Sequence, residues 1–553
     1  MNRKKIMTTL VSTSLLITLL AGCGSSSSSS VDTSGKPKAT TFTMFVNTSD
    51  FKPIDLSATP VGKKITDITG VTLKMDYLVG SDEKTKAGVM VAAGEYPDLL
   101  NPHGEFAAFR DAGALVPIED LIEKYGANIK KAYKGDLAKL KDADGHIYSL
   151  SPARIGSTAL YPTSGFYLAK DVLKQAGYPK VTSITQYFKI IEDYLAKNPN
   201  YNGKPNIGFT AETDGWRNYV LNNAPTYLAG NPNTGGVYID DKFEAHNYAL
   251  KDWAHNYFNT LNGLWNKGEI DKEIFTQNYD AFKAKLSSGR VLGFYDERWQ
   301  IQDAITSLEQ QKLYDRVPFA MPVTFDDVKK ESYNGISVTA IQAGICITKN
   351  CKDQVAAIKF LDAMCSEEIQ KLTNWGIEGQ DYSVKDGKMV KSAEQIAQMD
   401  DANYGTKQGV GMFWQFPHSN FGKDSKYSDG NFVSPNDTDE YITSKYKPYE
   451  KEVADAYKVK SLADIMAPAY KSPYGYGWDI TIPDSEQDIK LAGQNTTELQ
   501  KKYIAKLIMA KSGEYESIWS QYSKEMKNAK YDIGDAYYTK IIKQRMKDWG
   551  TGK

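Results

Sequence analysis

The stretch that decides the fold begins with Thr41-Phe-Thr-Met-Phe-Val46, in which apolar and polar residues alternate as they do in a half-buried β-strand. A helix is predicted over 60–68, because a threonine can cap its start and a glycine can end it. The alternation returns over 71–75, and a helix over 83–93 and a short buried strand over 97–100 follow. Strands that alternate with helices predict a parallel α/β sheet.

Ligands of such sheets bind outside the carboxyl ends of the strands. Asn101 and His103 directly follow the strand over 97–100, and they are therefore candidate binding residues. A second α/β run is predicted farther along the chain. Its strands are expected over 165–168, 207–209 and 291–295, with one long apolar strand over 337–347. Its helices are expected over 169–175, 183–195, 247–264 and 279–286.

The amino terminus carries a processing signal ahead of the fold. Three basic residues precede the apolar run Leu10 to Leu20, which is too short to span a bilayer as a helix. The run ends in Leu20-Ala-Gly-Cys23, which resembles the lipobox of bacterial lipoproteins. The resemblance implies cleavage before Cys23 and lipidation of its sulfur. Residues 24–40 are rich in serine and cannot bury a core, so a flexible tether is predicted there.

Composition and motifs argue against several classes of protein. The formal net charge is −1, and it falls to −4 without residues 1–22, which contain three basic residues and no acidic one. Nucleic acid is therefore not an expected partner. The cysteines at 346, 351 and 365 have no metal-ligand spacing and are predicted to be small buried residues. The sequence lacks the HExxH, G-x-S-x-G and phosphate-loop motifs, so neither a metal nor a cofactor is expected.

Several short segments, in order along residues 40–390, resemble the large extracellular solute-binding lipoproteins that serve carbohydrate ABC importers of Gram-positive bacteria. They are Asp67-Ile-Thr-Gly-Val71, Ala92-Ala-Gly-Glu-Tyr-Pro-Asp98, Gly113-Ala-Leu-Val-Pro-Ile-Glu-Asp120, Lys170-Asp-Val-Leu173, Ala176-Gly-Tyr-Pro179, Gly289-Arg-Val-Leu-Gly293 and Trp375-Gly-Ile-Glu-Gly379. The resemblance implies an α/β, two-lobed, periplasmic-binding-protein-like fold of type II, with a hinge between the lobes.

The same resemblance implies a division of the chain and a set of partners. The expected parts are a signal peptide (1–22), a lipidated cysteine with its linker (23–40), lobe 1 (41–151 and 335–390) and lobe 2 (152–334 and the helical 391–553). The implied protein is a monomer on the outer face of the cell membrane, held there by its lipid anchor. It binds an oligosaccharide and delivers it to the permease subunits of an ABC transporter, and it is not an enzyme.

Aromatic residues at loops after strands are the expected sugar-binding groups. A pyranose ring has an apolar C–H face that an aromatic ring can cover, while polar groups bond its hydroxyl rim. The chain has 36 tyrosines and 9 tryptophans, enough for both a core and such a cleft. The candidates, besides the two residues already named, are Trp216, Arg217, Glu297, Trp299, Trp375 and Trp414.

One segment resembles a calcium-binding loop. Asn198-Pro-Asn-Tyr-Asn-Gly203 has the spacing of the calcium loop that some relatives carry, but it lacks every acidic ligand, so it is interpreted as a turn.

Two other classes of function stay open. A lipid-anchored glycoside hydrolase or polysaccharide lyase is the first alternative, because acidic residues are abundant enough to supply a carboxylate pair. A peptide-binding lipoprotein is the second.

Overall fold

The computed structural model describes most of the chain. The described residues are 38–48, 53–79, 81–142, 144–151, 153–154, 160–334, 336–339, 344–399, 401–418, 425–480, 482–483 and 485–551. Cys23 and the signal sequence lie outside the described residues. No helix within the described ranges is long and apolar enough to cross a membrane.

Strands are distributed over the first five hundred residues. They are β1 Thr40–Val46, β2 Val71–Tyr77, β3 Leu99–Asn101, β4 Ser149–Leu150, β5 Ala153–Arg154, β6 Ser164–Ala169, β7 Asn200–Tyr201, β8 Lys204–Pro205, β9 Ile207–Phe209, β10 Val237–Ile239, β11 Ala245–Asn247, β12 Val291–Glu297, β13 Pro318–Met321, β14 Ile336–Thr339, β15 Ile345–Ile347, β16 Ser383–Lys385, β17 Lys388–Val390 and β18 Tyr470–Lys471.

Helices separate the strands and make up most of the carboxyl-terminal part. They are α1 Pro60–Thr69, α2 Glu83–Ala93, α3 Phe106–Asp111, α4 Glu119–Tyr125, α5 Ala127–Tyr133, α6 Lys170–Gln175, α7 Ile184–Lys197, α8 Tyr219–Asn222, α9 Ala224–Leu228, α10 Asp252–Asn266, α11 Tyr279–Ser287, α12 Arg298–Gln310, α13 Gln354–Met364, α14 Glu367–Trp375, α15 Ala393–Gln398, α16 Ala402–Gln408, α17 Asp439–Lys445, α18 Pro448–Tyr457, α19 Gln487–Ile508, α20 Tyr515–Asn528 and α21 Asp535–Asp548.

The boundaries of α1 follow from its sequence signals. Thr59 Oγ1 accepts a hydrogen bond from the Gly62 amide at 3.0 Å, which satisfies one of the free donors of the first turn. Gly70 ends the helix in the left-handed conformation, with φ of 72°. The helix predicted over 60–68 is therefore confirmed.

The first sheet has the strand order β2-β1-β3-β15-β4. Strand β1 pairs in parallel with both β2 and β3, as the alternating pattern predicted. Strand β15 runs antiparallel to β3 and to β4, so the sheet is mixed rather than wholly parallel. Apolar residues cover both faces of this sheet, as in other α/β sheets.

The second sheet has the strand order β13-β6-β12-β9. Strand β12 is parallel to β9 and antiparallel to β6, and β6 is antiparallel to β13. A large core surrounds the sheet, and it includes Tyr187 of α7 and Leu261 of α10. Helix α10 starts at Asp252 rather than at 247 as predicted, because residues 245–247 pair with β10 instead.

A small third sheet links the two larger sheets, and we call it the connector sheet. Its order is β18-β14-β5, with β14 antiparallel to β5 and parallel to β18. The single strand predicted over 337–347 is wrong: β14 belongs to the connector sheet, whereas β15 belongs to the first sheet. A continuous apolar pattern did not reveal that the chain changes sheets within it.

Packing in the carboxyl-terminal part differs from the division expected at residue 390. Phe413 and Phe416 pack in the core of the first sheet, whereas Ile442 and Tyr446 pack in the core of the second. Residues 402–416 therefore pack with the first sheet although the sequence assigned them to lobe 2. Their apolar side chains cover α13, since the ring of Phe416 meets that of Phe360 edge to face at 6.1 Å.

The last helices complete the second core. Helix α19 buries Tyr503, Ile504, Leu507 and Ile508, which confirms the predicted amphipathic stripe. The cysteines at 346, 351 and 365 are free and buried, as predicted.

Asn262 of α10 anchors the end of α19, and its loss should lower stability. Its Nδ2 donates to the carbonyl oxygens of Ile508 and Ala510 at 3.0 and 2.7 Å. Asn262→Ala would remove the side-chain donor to the Ile508 carbonyl, whereas Asn266 Nδ2 would still donate to that of Ala510 at 3.0 Å. We therefore expect a loss of about 1–3 kcal/mol in the free energy of unfolding. Urea unfolding followed by circular dichroism would measure it. Asn259→Ala, on the exposed face of the same helix, is the matched control, and an equal loss in both variants would contradict the prediction.

Candidate functional site

The carboxyl ends of the first sheet lie next to the connector sheet. Because β1, β2 and β3 are parallel, their last residues share one edge, where the Asn47 amide donates to the Asn101 carbonyl at 3.0 Å. Strand β4 also ends at this edge, since it is antiparallel to β15, which is antiparallel to β3. The connector strand β5 starts three residues after β4 ends.

The second sheet also turns its carboxyl edge toward the connector sheet. Strands β9 and β12 are parallel, so the residues that follow them lie at one edge. Ser164, the first residue of β6, pairs with Glu297 at the end of β12. Ser164 Oγ also donates at 2.9 Å to the carbonyl of Tyr333, which precedes β14 by three residues, so this edge adjoins the connector sheet. The carboxyl edges of both large sheets therefore adjoin the connector sheet.

An aromatic surface lies at the carboxyl edge of the second sheet. The ring of Trp216 is nearly parallel to that of Tyr219, at 6.0 Å and 3°, and to that of Trp299, at 6.0 Å and 18°. Both tryptophans are 59% exposed, although tryptophan is mostly buried in folded proteins. We call these three residues the aromatic platform. The structure therefore brings together Trp216 and Trp299, which the sequence proposed separately.

Arg217 supports the platform from behind. Its guanidinium carbon lies 4.6 Å from the ring centroid of Trp216 and 4.1 Å from that of Tyr279. The Tyr279 hydroxyl donates to the backbone carbonyl of Gln300 at 2.5 Å, which ties this ring to α12. Cation–π contacts of this kind hold the ring of Trp216 in place.

Carboxyl groups lie beside the platform. Asp296 is fully buried, and its Oδ1 accepts hydrogen bonds from the Glu297 amide and from Gln300 Nε2, both at 2.7 Å. Burial raises the pKa of Asp296 to about 8. Burial, together with the charge of Asp296, raises the pKa of Glu297 to about 8 as well. Burial also raises the pKa of Glu212, which follows β9. Protonated carboxyl groups both donate and accept hydrogen bonds, as sugar hydroxyls require.

The candidates on the first sheet are held by local bonds. Asn101 is buried, and its Oδ1 accepts from the His103 amide at 3.1 Å. His103 has a φ of 50°, a conformation that this hydrogen bond helps to hold. Its Nδ1 lies 3.0 Å from Glu83 Oε2. Asn101 therefore positions the loop, and the half-exposed imidazole of His103 is the group that the loop presents.

The other two candidate tryptophans, Trp375 and Trp414, are not part of the aromatic platform. Trp375 is 1% exposed, packs on Tyr382, and donates from Nε1 to the Phe432 carbonyl at 2.9 Å. Its ring fills a small apolar cluster at the end of α14, so the structure does not bring it to the platform. Trp414 is exposed, but it lies between residues that pack in the first core.

Two aromatic residues of the candidate site, Tyr219 and Tyr279, were not predicted from the sequence. Tyr219 follows Trp216 by three residues, the spacing of neighbours on one helical face, so a signal was present. Tyr279 gave no local signal, because it meets Arg217 only through tertiary packing.

The segment 198–203, which was interpreted as a turn, forms the β7–β8 hairpin. Its residues Asn202 and Gly203 have positive φ, as the Asn-Gly pair favours.

Two α/β sheets joined by short connector strands, with an exposed aromatic platform at the carboxyl edge of the second sheet, are the architecture of a two-lobed solute-binding protein of type II fold. The chain belongs to the family of bacterial extracellular solute-binding proteins, whose model matches residues 61–398, more than half of the sequence.

Individual relatives extend the similarity. The chain is 24% identical over 401 residues to the fructooligosaccharide ABC transporter substrate-binding protein FusA of Streptococcus pneumoniae, covering 66% of this chain and 70% of that protein. It is 24% identical over 384 residues to the lipoprotein LipO of Bacillus subtilis, covering 67% and 72%. Among solved structures, an HMO-binding, ABC-transporter-associated solute-binding protein of Bifidobacterium longum infantis has a TM-score of 0.65 at 15% identity, covering 93% of this chain and all of that one.

The buried carboxyl of Asp296 predicts a pH dependence of stability. Its pKa is about 8 in the folded state but about 4 in the unfolded chain, so the folded state holds the proton more tightly. Its contribution to stability is fully present below pH 4 and is lost as pH rises toward 8. Asp296→Asn removes this loss and keeps an acceptor for the bonds to Oδ1. We therefore expect its melting temperature, relative to the wild type, to rise between pH 5 and pH 8.5.

Thermal melts at a series of pH values would test this expectation. Asp303→Asn, an exposed substitution on α12, is the control and should follow the wild type at every pH. A difference between Asp296→Asn and the wild type that stays constant with pH would contradict the prediction.

Proposed function

We propose that this protein binds an oligosaccharide in the cleft between its two sheets and delivers it to the permease of an ABC transporter. The observation that carries the proposal is the aromatic platform, in which Trp216 and Trp299 lie nearly parallel with half of each side chain open to solvent. Leaving large apolar surface exposed is unfavourable, and a ligand with an apolar face offsets that cost when it binds.

The chemistry of the platform suits a sugar. The C–H face of a pyranose or furanose ring can stack on an indole ring, and its hydroxyl groups then point to the edges. Carboxyl groups adjoin the platform, since Glu297 directly precedes α12, which carries Trp299, and its charge raises the pKa of Tyr219. The names of FusA and of the HMO-binding protein point to the same class of ligand.

We further propose how the chain is divided into lobes. Lobe 1 would comprise the first sheet with residues 41–151 and 344–433, and lobe 2 the second sheet with residues 160–334 and 439–551. The core memberships of Phe416 and Tyr446 support a last crossing between them, and Val433, which packs in one cluster with Trp375, supports a crossing after 430 rather than near 390. A ligand that contacts both lobes only when they are close together favours the closed state, and its binding therefore drives closure.

The anchoring of the chain completes the proposal. Lipidation of Cys23 would tether the protein to the outer face of the membrane, and the serine-rich residues 24–40 would let it reach the permease. The similarity to the lipoprotein LipO supports this placement. The binding role requires no catalysis by this chain.

Tryptophan fluorescence during titration with a panel of neutral and acidic oligosaccharides would test the binding role. We expect at least one glycan to change the emission, because Trp216 and Trp299 would lose contact with water. Trp216→Ala and Trp299→Ala should each weaken that binding by about tenfold or more, as loss of a stacking contact does. Trp519→Phe keeps the stack on Tyr515 at the surface of α20 and is the control that should bind normally. Absence of a response to every glycan would sink the proposal.

Metabolic labelling with palmitate in a Gram-positive host would test the anchor. Cys23→Ser should abolish labelling and release the protein into the medium. Cys351→Ser changes a buried thiol of the mature body and should leave labelling intact. Labelling that survives in Cys23→Ser would show that Cys23 is not the lipid site.

A further inference from the structure

A second exposed aromatic surface lies on the second sheet's side of the molecule. Trp478 is 52% exposed, and its ring lies 4.6 Å from that of Tyr476 at an angle of 33°. We call this pair the Trp478 surface. It lies in the segment that follows β18.

The backbone around Trp478 is held rigidly. A Cβ atom on Gly477 would lie 2.6 Å from the Thr234 carbonyl oxygen, and one on Gly235 would lie 3.1 Å from Trp478 Cβ. Only glycine at both positions lets the two loops meet this closely. Arg545 of α21 adds a further contact, since its Nη1 donates to the Tyr476 carbonyl at 3.0 Å. An indole ring that is exposed yet fixed in place is preorganised for contact with a ligand.

The Trp478 surface is linked to the aromatic platform through one buried side chain. The Tyr248 hydroxyl lies 2.5 Å from Asn223 Oδ1 and 3.2 Å from the Gly235 carbonyl oxygen. Asn223 directly follows α8, the short helix that starts at Tyr219 of the platform, so the two are separated by about one helical turn, roughly 6 Å. Gly235 is the residue that contacts Trp478.

The Trp478 surface also adjoins the connector sheet. It follows β18, which pairs with β14, by five residues. The contacts of Tyr248 with Asn223 and Gly235 place this surface beside the segment that follows β9.

We propose that Trp478, with Tyr476, forms a distal sugar subsite that contacts only ligands long enough to extend beyond the platform. This inference rests on the proposed oligosaccharide-binding function and adds a chain-length preference to it. The ligand class is a linear oligosaccharide, one sugar unit of which stacks on the platform and a later unit on Trp478.

Calorimetric titration with one homologous glycan series, from disaccharide to hexasaccharide, tests the subsite. The series is chosen because its members bind the wild-type protein. Trp478→Ala should leave disaccharide affinity within about twofold of the wild type and weaken hexasaccharide binding by about three- to tenfold, the range of one aromatic contact. Trp478→Phe should restore most of the loss. Trp299→Ala should weaken every member of the series.

Tyr314→Ala is the matched control. Tyr314 is also exposed and stacked, on Tyr449 at 5.3 Å, but it precedes β13 at the opposite end of the second sheet. The Tyr314→Ala variant should bind every glycan with the affinity of the wild type. If Trp478→Ala binds all lengths normally, or loses the same factor at every length, the subsite is overturned while the binding function stands. If the wild type binds no member of any glycan series, both fail together.

Discussion

The parallel pairing of β9 with β12 is the constraint on which the aromatic platform depends. It places two segments that are far apart in sequence at one edge of the sheet, so that Trp216 and Trp299 meet. Arg217 then fixes the ring of Trp216 against Tyr279, and Asp296 holds the start of α12 through Gln300. If β9 were shifted in register, the platform would not form, because Trp216 and Tyr219 follow β9 whereas Trp299 follows β12.

The site combines two features that proteins usually avoid. Large rings of Trp216 and Trp299 are left open to water, and a carboxyl group, that of Asp296, is buried beside them. The first costs hydrophobic stabilisation and the second costs solvation of a charge, which the raised pKa of Asp296 reflects. Such costs are typical of binding surfaces, where stability is given up for a preorganised arrangement of groups.

Much of the fold and part of the site were predictable from sequence. The caps of α1 and the alternation of β1 are local signals, and local signals survive folding. The positions of Trp216 and Trp299 after strands were also sufficient to propose them. Trp375 could not be separated from them, because only tertiary packing buries it beneath Tyr382. The change of sheet between β14 and β15 was hidden for the same reason, since it depends on which strands pair with each of them.

The connector sheet has a mechanical consequence. Strand β14 is hydrogen-bonded to β5 on one side and to β18 on the other, so the two strands that pass between the large sheets, β5 and β14, form one ladder rather than independent linkers. Bending either strand strains the hydrogen bonds to the other, so the two cannot bend independently. The third strand, β18, adds backbone bonds that stiffen this ladder.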